Sequence, residues 1–327
     1  VTRLVILDPT TLLGKELVEV LERRSDLWQE MALLSLADEE VGALTEAAGA
    51  AALVRRAEAA DLAAADVVFV CGSSAAYADL LTHRRADATV VYLDPRHGGA
   101  GAVPVVAGIN LDEAAAGGVL ASPHPATVLL AHLLQPLVAA GLREAAAMLV
   151  QPASIFGRPG LDELYAQAQS LVALQPQEPS AVFGRQLAFN LYPAPGGPAG
   201  LAEEARAVLG PAGADLRLAV QLLQGAVFHG FSALLHVYLA GDPEPESVRE
   251  RLAGNPLVGL SEPAEGEADD LLGPIDAAAE EKVVVGPVRR DPAGGLWIWA
   301  VMDNLTRGGA LNALAILERV VATLAVH

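Results

Sequence analysis

Thiol and amine nucleophiles are scarce in this chain. Cys71 is the only cysteine among 327 residues, and Lys15 and Lys282 are the only lysines. Cys71 ends the strand-like run DVVFVC, where a buried free thiol behaves as a small hydrophobe. A single cysteine also excludes an intramolecular disulfide and metal sites built on paired CxxC motifs. His124 lies in Ser122-Pro123-His124-Pro125, a setting for a base, a weak nucleophile or a helix-opening residue. His229 lies in Val227-Phe228-His229-Gly230-Phe231-Ser232, read as strand, where it suits either proton transfer or a structural role.

The surrounding elements set where such residues can stand. Thr2–Leu7 reads as a buried strand, Asp8-Pro9-Thr10-Thr11 as a turn, and Leu13, Leu17, Val20 and Leu21 as the apolar face of a helix. Further strands are expected at Met31–Leu36, Asp66–Cys71 and Thr89–Leu93, with a helix at Ala75–Arg84. Strands alternating with helices predict a doubly wound parallel sheet, a Rossmann-like domain. Thr127–Ala140 is apolar on nearly every face and predicts a buried helix. Beyond it the pattern turns to an α+β domain with an antiparallel sheet. Strands are expected there at Ala147–Pro152, Gln224–Leu239 and Leu296–Val301, with helices at Leu161–Leu174, Leu201–Leu209 and Ser247–Ala253. A last helix is expected at Ala310–Leu324. Ser261–Leu271 and Asp291–Gly295 read as exposed loops.

Composition narrows the partners. The net charge of −19 repels a phosphate backbone and anionic lipid alike, so neither nucleic acid nor membrane is an expected partner. The longest uncharged apolar stretch, Pro125–Leu142, contains His132, Gln135 and Pro136 and falls short of the roughly 20 residues of a membrane span. The given sequence opens in the strand-like run Val1–Leu7 without the basic and apolar pattern of a leader, and the cytoplasm is the expected compartment.

Three segments, in order, resemble the aspartate-semialdehyde dehydrogenase family. GRPGLDELYAQ at Gly157–Gln167 is similar to the segment after that family's active-site strand. FGRQLAFNLYP at Phe183–Pro193 is similar to its loop ending in AFN. DNLTRGGALNA at Asp303–Ala313 is similar to the opening of its C-terminal helix. The resemblance spans essentially the whole chain. It implies a NAD(P)-binding-type domain over residues 1–127 plus the helix 309–327, and an α+β dimerisation and substrate-type domain over 128–308. It also implies a homodimer and a reversible NADP-dependent reaction of amino-acid biosynthesis, aspartyl phosphate to aspartate semialdehyde, through a thiolate nucleophile.

Several positions depart from the family's pattern. The nucleophile position falls on Pro125, which has no nucleophilic atom and is suited to a first helical turn. The acid/base histidine position falls on Phe231, and His229 would lie two residues earlier on the same strand face, displaced by ~7 Å. The arginine that would clamp the substrate carboxylate is Gln224. Gln151 matches a substrate-contacting glutamine. The glycine fingerprint falls on Asp8, Thr11 and Gly14, of which only the last is glycine. Thr10, Thr11, Gly14, Gly72 and Asn312 are what remain of a cofactor site, so NADP is the implied cofactor on a degenerate cradle. The resemblance therefore predicts a paralogue with no catalytic residue retained, acting as a dimeric binding or assembly protein for a small-molecule ligand or a related enzyme subunit. The alternative is an active oxidoreductase with a rebuilt site using His124, His229 or Gln151.

Overall fold

The computed structural model describes residues 2–47, 50–72, 74–93, 101–113, 117–176, 180–263 and 271–324. The chain divides into two compact units, Val1–His124 with Gly309–His327, and Pro125–Gly308.

The first unit runs β1 (Arg3–Leu7), α1 (Leu12–Glu22), β2 (Glu30–Ser35), a hairpin of β3 (Leu44–Ala47) and β4 (Ala50–Leu53), β5 (Arg55–Arg56), α2 (Ala59–Ala64), β6 (Val67–Val70), α3 (Ser74–Leu81), β7 (Thr89–Tyr92), β8 (Val103–Pro104) and β9 (Val119–Ala121). Seven of these strands form one sheet in the order β5-β2-β1-β6-β7-β9-β8, and every neighbouring pair is parallel. β1 and β6 are buried along nearly their whole length, as parallel strands covered on both faces must be. Leu4, Ile6 and Phe69 face a core shared with Leu17 and Leu21 of α1. Val5, Leu7 and Val68 face the opposite core, with Leu62 of α2 and Tyr77 of α3. The chain leaves β1 toward β2 on one side, and β6 lies on the other. The carboxyl ends of β1 and β6 therefore flank the point where strand order reverses, where open α/β sheets place ligands.

The second unit runs α4 (Pro125–Val138), β10 (Leu142–Gln151), α5 (Gly157–Val172), β11 (Leu191–Pro193), α6 (Leu201–Leu209), β12 (Arg217–Gly225), β13 (Phe231–Leu239), α7 (Pro245–Ala253), β14 (Val258–Leu260), β15 (Val283–Arg290) and β16 (Leu296–Met302). Its sheet order is β11-β12-β10-β13-β16-β15-β14. The sheet is mixed rather than antiparallel as expected, because β10–β12 and β14–β15 are parallel pairs. The β10–β12 pair is joined through intervening helices, which permit a parallel return. α4 is buried on every face of its first ten residues, which explains its unbroken apolar pattern. Gln224–Leu239 is two strands rather than one, since the chain turns at 226–230 and both strands flank β10. Of the expected loop Ser261–Leu271, residues 264–270 lie outside the described residues.

The chain then returns to the first unit in α8 (Leu311–Leu324), preceded by a π turn at Thr306–Ala310. Ala313, Ile316, Leu317 and Val320 of α8 join the core built on α1.

Candidate functional site

In the first unit the candidate residues gather around Asp8, just beyond β1. Asp8 has φ 57°, a left-handed backbone that Asp tolerates better than most side chains. Its backbone oxygen accepts from Thr11 N–H at 3.3 Å and from the Thr11 hydroxyl at 2.9 Å. Thr11 is the N-cap of α1, and its Oγ1 also accepts from Gly14 N–H at 3.0 Å. A Cβ on Gly14 would come within 2.5 Å of the Asp8 carbonyl oxygen, so glycine is needed there for turn and helix to meet. The Thr10 hydroxyl donates to Glu40.

The Asp8 carboxylate turns inward. The Tyr77 hydroxyl donates to it, as does the Ser35 hydroxyl at 3.0 Å, while Leu36 N–H donates to Tyr77. Oδ2 lies against the Cα of Gly72, where a Cβ would overlap it. Burial pushes this carboxyl above the ordinary carboxylate range. Hydroxyl bonds from Tyr77 and Ser35 oppose the shift, and the Glu40 charge adds to it. A dinucleotide pyrophosphate needs bare backbone at the β1 and β6 ends. Here that space holds a carboxylate, so the residues present do not fit the phosphates unless Asp8 moves.

Asn312 of α8 is fully buried and fully employed. Its Oδ1 accepts from Ala107 N–H at 2.8 Å, and its Nδ2 donates to Val105 O at 2.8 Å and to the Ser122 hydroxyl at 2.9 Å. It ties two loops to the helix. His124 is half-buried in the short segment between β9 and α4.

In the second unit Pro125 is buried and opens α4. Two residues on, the Thr127 hydroxyl donates to the Glu204 carboxylate of α6. Gln151 and Gln224 end the parallel pair β10–β12 directly opposite each other. Gln151 Nε2 donates to Gln224 Oε1 at 2.8 Å, and Gln224 Nε2 reaches the carbonyls of Gln151 and Gly225 at 3.3 Å each. Phe231 is fully buried at the start of β13. The sequence places His229 on the strand face of Phe231; it instead lies exposed in the turn before β13. Gly230, with φ 88°, is what swings the chain away, and its N–H donates to Asn304 Oδ1 at 2.9 Å.

The three sequence blocks are held by hydrogen bonds that spacing alone did not reveal. Glu163 of α5 accepts from the Ser180 hydroxyl at 2.5 Å and from Val182 N–H at 2.7 Å. Desolvation pushes its carboxyl up, but these bonds, with those from Phe183 and Ala181 N–H, outweigh it and hold the group below its ordinary range. Gln167 Oε1 accepts from Leu187 and Ala188 N–H at 2.6 and 3.1 Å. The first block therefore clamps the second. In the third, Asp303 caps its own turn through Leu305 and Thr306 N–H at 2.8 and 2.9 Å, and Asn304 Nδ2 donates to Ser154 at 3.1 Å.

Among the described residues no helix is long and apolar enough to cross a membrane, and no three His, Cys, Asp or Glu side chains cluster as metal ligands do.

The family described as "Semialdehyde dehydrogenase, dimerisation domain" matches residues 134–307. A USG-1 protein homolog of Azotobacter vinelandii is 31% identical over 334 residues, covering 96% of each chain. An aspartate-semialdehyde dehydrogenase of a Synechocystis strain is 26% identical over 342 residues, covering 98% of this chain and 97% of its own. The structure of a probable aspartate-semialdehyde dehydrogenase from Pseudomonas aeruginosa superposes with a TM-score of 0.84 at 26% identity, covering 97% of both chains. With the match to that domain spanning more than half of this chain and relatives aligned nearly end to end, the chain belongs to the aspartate-semialdehyde dehydrogenase family.

Proposed function

We propose that this protein is a non-catalytic member of its family that works as a homodimeric binding or assembly protein. The carrying observation is Pro125. At the position the resemblance gives to the nucleophile, a buried proline ring opens α4 and offers no atom that can attack an acyl carbon. The neighbouring positions support the reading. Phe231 is core, and Gln151 and Gln224 spend their amides on each other rather than on a carboxylate. In the first unit Asp8 fills the dinucleotide cradle, which supports weak or absent NADP binding. The segments that match the family are those whose polar groups hold the fold together: Glu163, Gln167, Asp303 and Asn304.

The dimer face is the side of the second sheet that carries Met148, Leu234 and Trp299. These three stand opposite one another across β10, β13 and β16, with Ala146, His236 and Trp297 in the next row. Met148 is 47% exposed and Tyr238 45%. A monomer rarely leaves so contiguous an apolar face to water.

The test is a phosphate-dependent assay with aspartate semialdehyde and NADP. No turnover above background is expected. Turnover that disappears in Gln151→Ala, His124→Ala or His229→Ala would instead establish an active enzyme with a rebuilt site.

A further inference from the structure

The turn after β2 carries a charge pattern to which the proposed function gives no task. In a doubly wound sheet the residues beyond the second strand face the ribose of a bound dinucleotide. A carboxylate there suits a free 2′-hydroxyl, whereas a 2′-phosphate needs a base. Here β2 ends at Ser35, and Asp38, Glu39 and Glu40 follow in succession. Glu40 and Val41 N–H close the turn on the Ala37 carbonyl at 3.0 and 3.2 Å. Further bonds tie the turn to the end of β1. Ala37 N–H donates to the Ser35 hydroxyl at 3.1 Å, and that hydroxyl donates to Asp8 at 3.0 Å. The Glu40 carboxylate accepts from the Thr10 hydroxyl, in the same turn as Asp8. The ends of β1 and β2 are thus bridged by one bonded network that carries the Asp8 and Glu40 carboxylates. The two arginines of β5 do not offset these charges freely. Arg56, opposite Ser35, donates to Asp38, and Arg55 meets Asp61 of α2 at 3.0 Å.

We propose that Glu40 makes the first unit select a dinucleotide with a free ribose 2′-hydroxyl, the NAD class, and reject the 2′-phosphate of NADP. A 2′-phosphate beyond β2 would bring nearly two negative charges toward three consecutive carboxylates. A hydroxyl brings no charge to repel and offers a hydrogen that a carboxylate can accept. Glu40 is the carboxylate of the three that a bond fixes on the turn opening α1, while Asp38 is engaged by Arg56 and Glu39 is exposed. Asp8 and Glu40 oppose different phosphates. Asp8 fills the place of the pyrophosphate, which NAD and NADP share. Glu40 lies toward the ribose, where the two differ. NADP therefore disagrees with this chain at two separate positions. The inference rests on the reading of the crevice as a dinucleotide cradle filled by Asp8, not on the absence of turnover.

NADH and NADPH are the probes, because they differ only in the 2′-phosphate. Each is titrated against full-length Asp8→Gly, in which the pyrophosphate space is open, and read by nicotinamide fluorescence. Asp8→Gly is expected to bind NADH about tenfold more tightly than NADPH. Glu40→Gln removes the charge and keeps an acceptor for Thr10. Added to Asp8→Gly, it should tighten NADPH about tenfold and leave NADH within about twofold. If Asp8→Gly does not fold, Asp8→Asn replaces it with the same order expected, since Asn also tolerates the left-handed backbone. NADPH binding as tightly as NADH or more so, or binding of neither, overturns the assignment. So does a Glu40→Gln gain shared equally by both nucleotides, which would place Glu40 at the pyrophosphate instead. Only binding is read, so an active and an inactive protein are held to the same result.

Discussion

The Asp8 carboxylate lies against the Cα of Gly72, at the point of the parallel sheet where strand order reverses. The residue after β1 thereby closes the space that the glycine after β6 leaves open. A phosphate brought there would meet a like charge at ~5 Å, a repulsion of roughly 3 kcal/mol at an effective dielectric of ~20. Glycine accepts the φ of 57° at position 8 without strain. Asp8→Gly is therefore expected to fold and to bind NADPH about 10–100-fold more tightly than the parent, read by nicotinamide fluorescence. Unchanged affinity would show that the Asp8 carboxylate is not the obstacle.

Much of the first unit was legible because its strands are short apolar runs punctuated by turns, a pattern that parallel sheets covered on both faces impose. The Arg3–Leu7 and Thr89–Tyr92 strands fall within a residue of expectation. The second unit was less legible. Gln224–Leu239 looks continuous because residues 226–228 are Ala, Val and Phe, and only Gly225 and Gly230 at its two ends hint at the turn. That break removes His229 from the strand. The Asp8–Tyr77 bond joins residues 69 positions apart and leaves no local trace, like the Glu163 clamp on residues 180–183. His132 was visible only as a polar residue in an apolar helix, since its partner Asn255 comes 123 residues later.

Gln151 and Gln224 form a closed pair, so their contributions to stability are coupled. Gln224→Leu leaves Gln151 Nε2 without its buried acceptor and is expected to cost about 1–3 kcal/mol. Removing both amides, in Gln151→Leu with Gln224→Leu, is expected to cost less than the two single changes together, with a coupling of about 1 kcal/mol. Urea denaturation of the four proteins completes the cycle. Strict additivity would mean that the amides do not depend on each other.

His132 makes stability sensitive to acid. Burial, helped by Arg307, depresses the folded imidazole pKa from 6.5 to about 3, so the unfolded chain takes up the proton first. Its contribution is fully present above pH 6.5 and declines as pH falls through the window down to about 3. A drop of roughly 2 kcal/mol is expected between about pH 7.5 and about pH 5, measured by urea denaturation. His132→Phe should start less stable, because Asn255 loses its acceptor, yet change less over the same range. A parallel decline in both proteins would assign the acid sensitivity to other groups.

The open face of the second sheet sets the last expectation. Leu234 lies at the centre of a row with Met148 on one side and Trp299 on the other, and a groove of about 600 Å³ beside it is lined by Leu271, Leu272, Pro287, Arg289 and Trp297. If this face meets its copy in a second chain, a charge at position 234 enters a dehydrated interface twice per dimer, at several kcal/mol for each unpaired ion. Leu234 is only half-buried in a single chain, so Leu234→Arg can turn its guanidinium to water there and keep the fold. Light scattering after gel filtration is expected to give a dimer for the parent and a monomer of about 34 kDa for the variant, with matching circular dichroism spectra. A variant that stays dimeric would move the interface to another face of the unit.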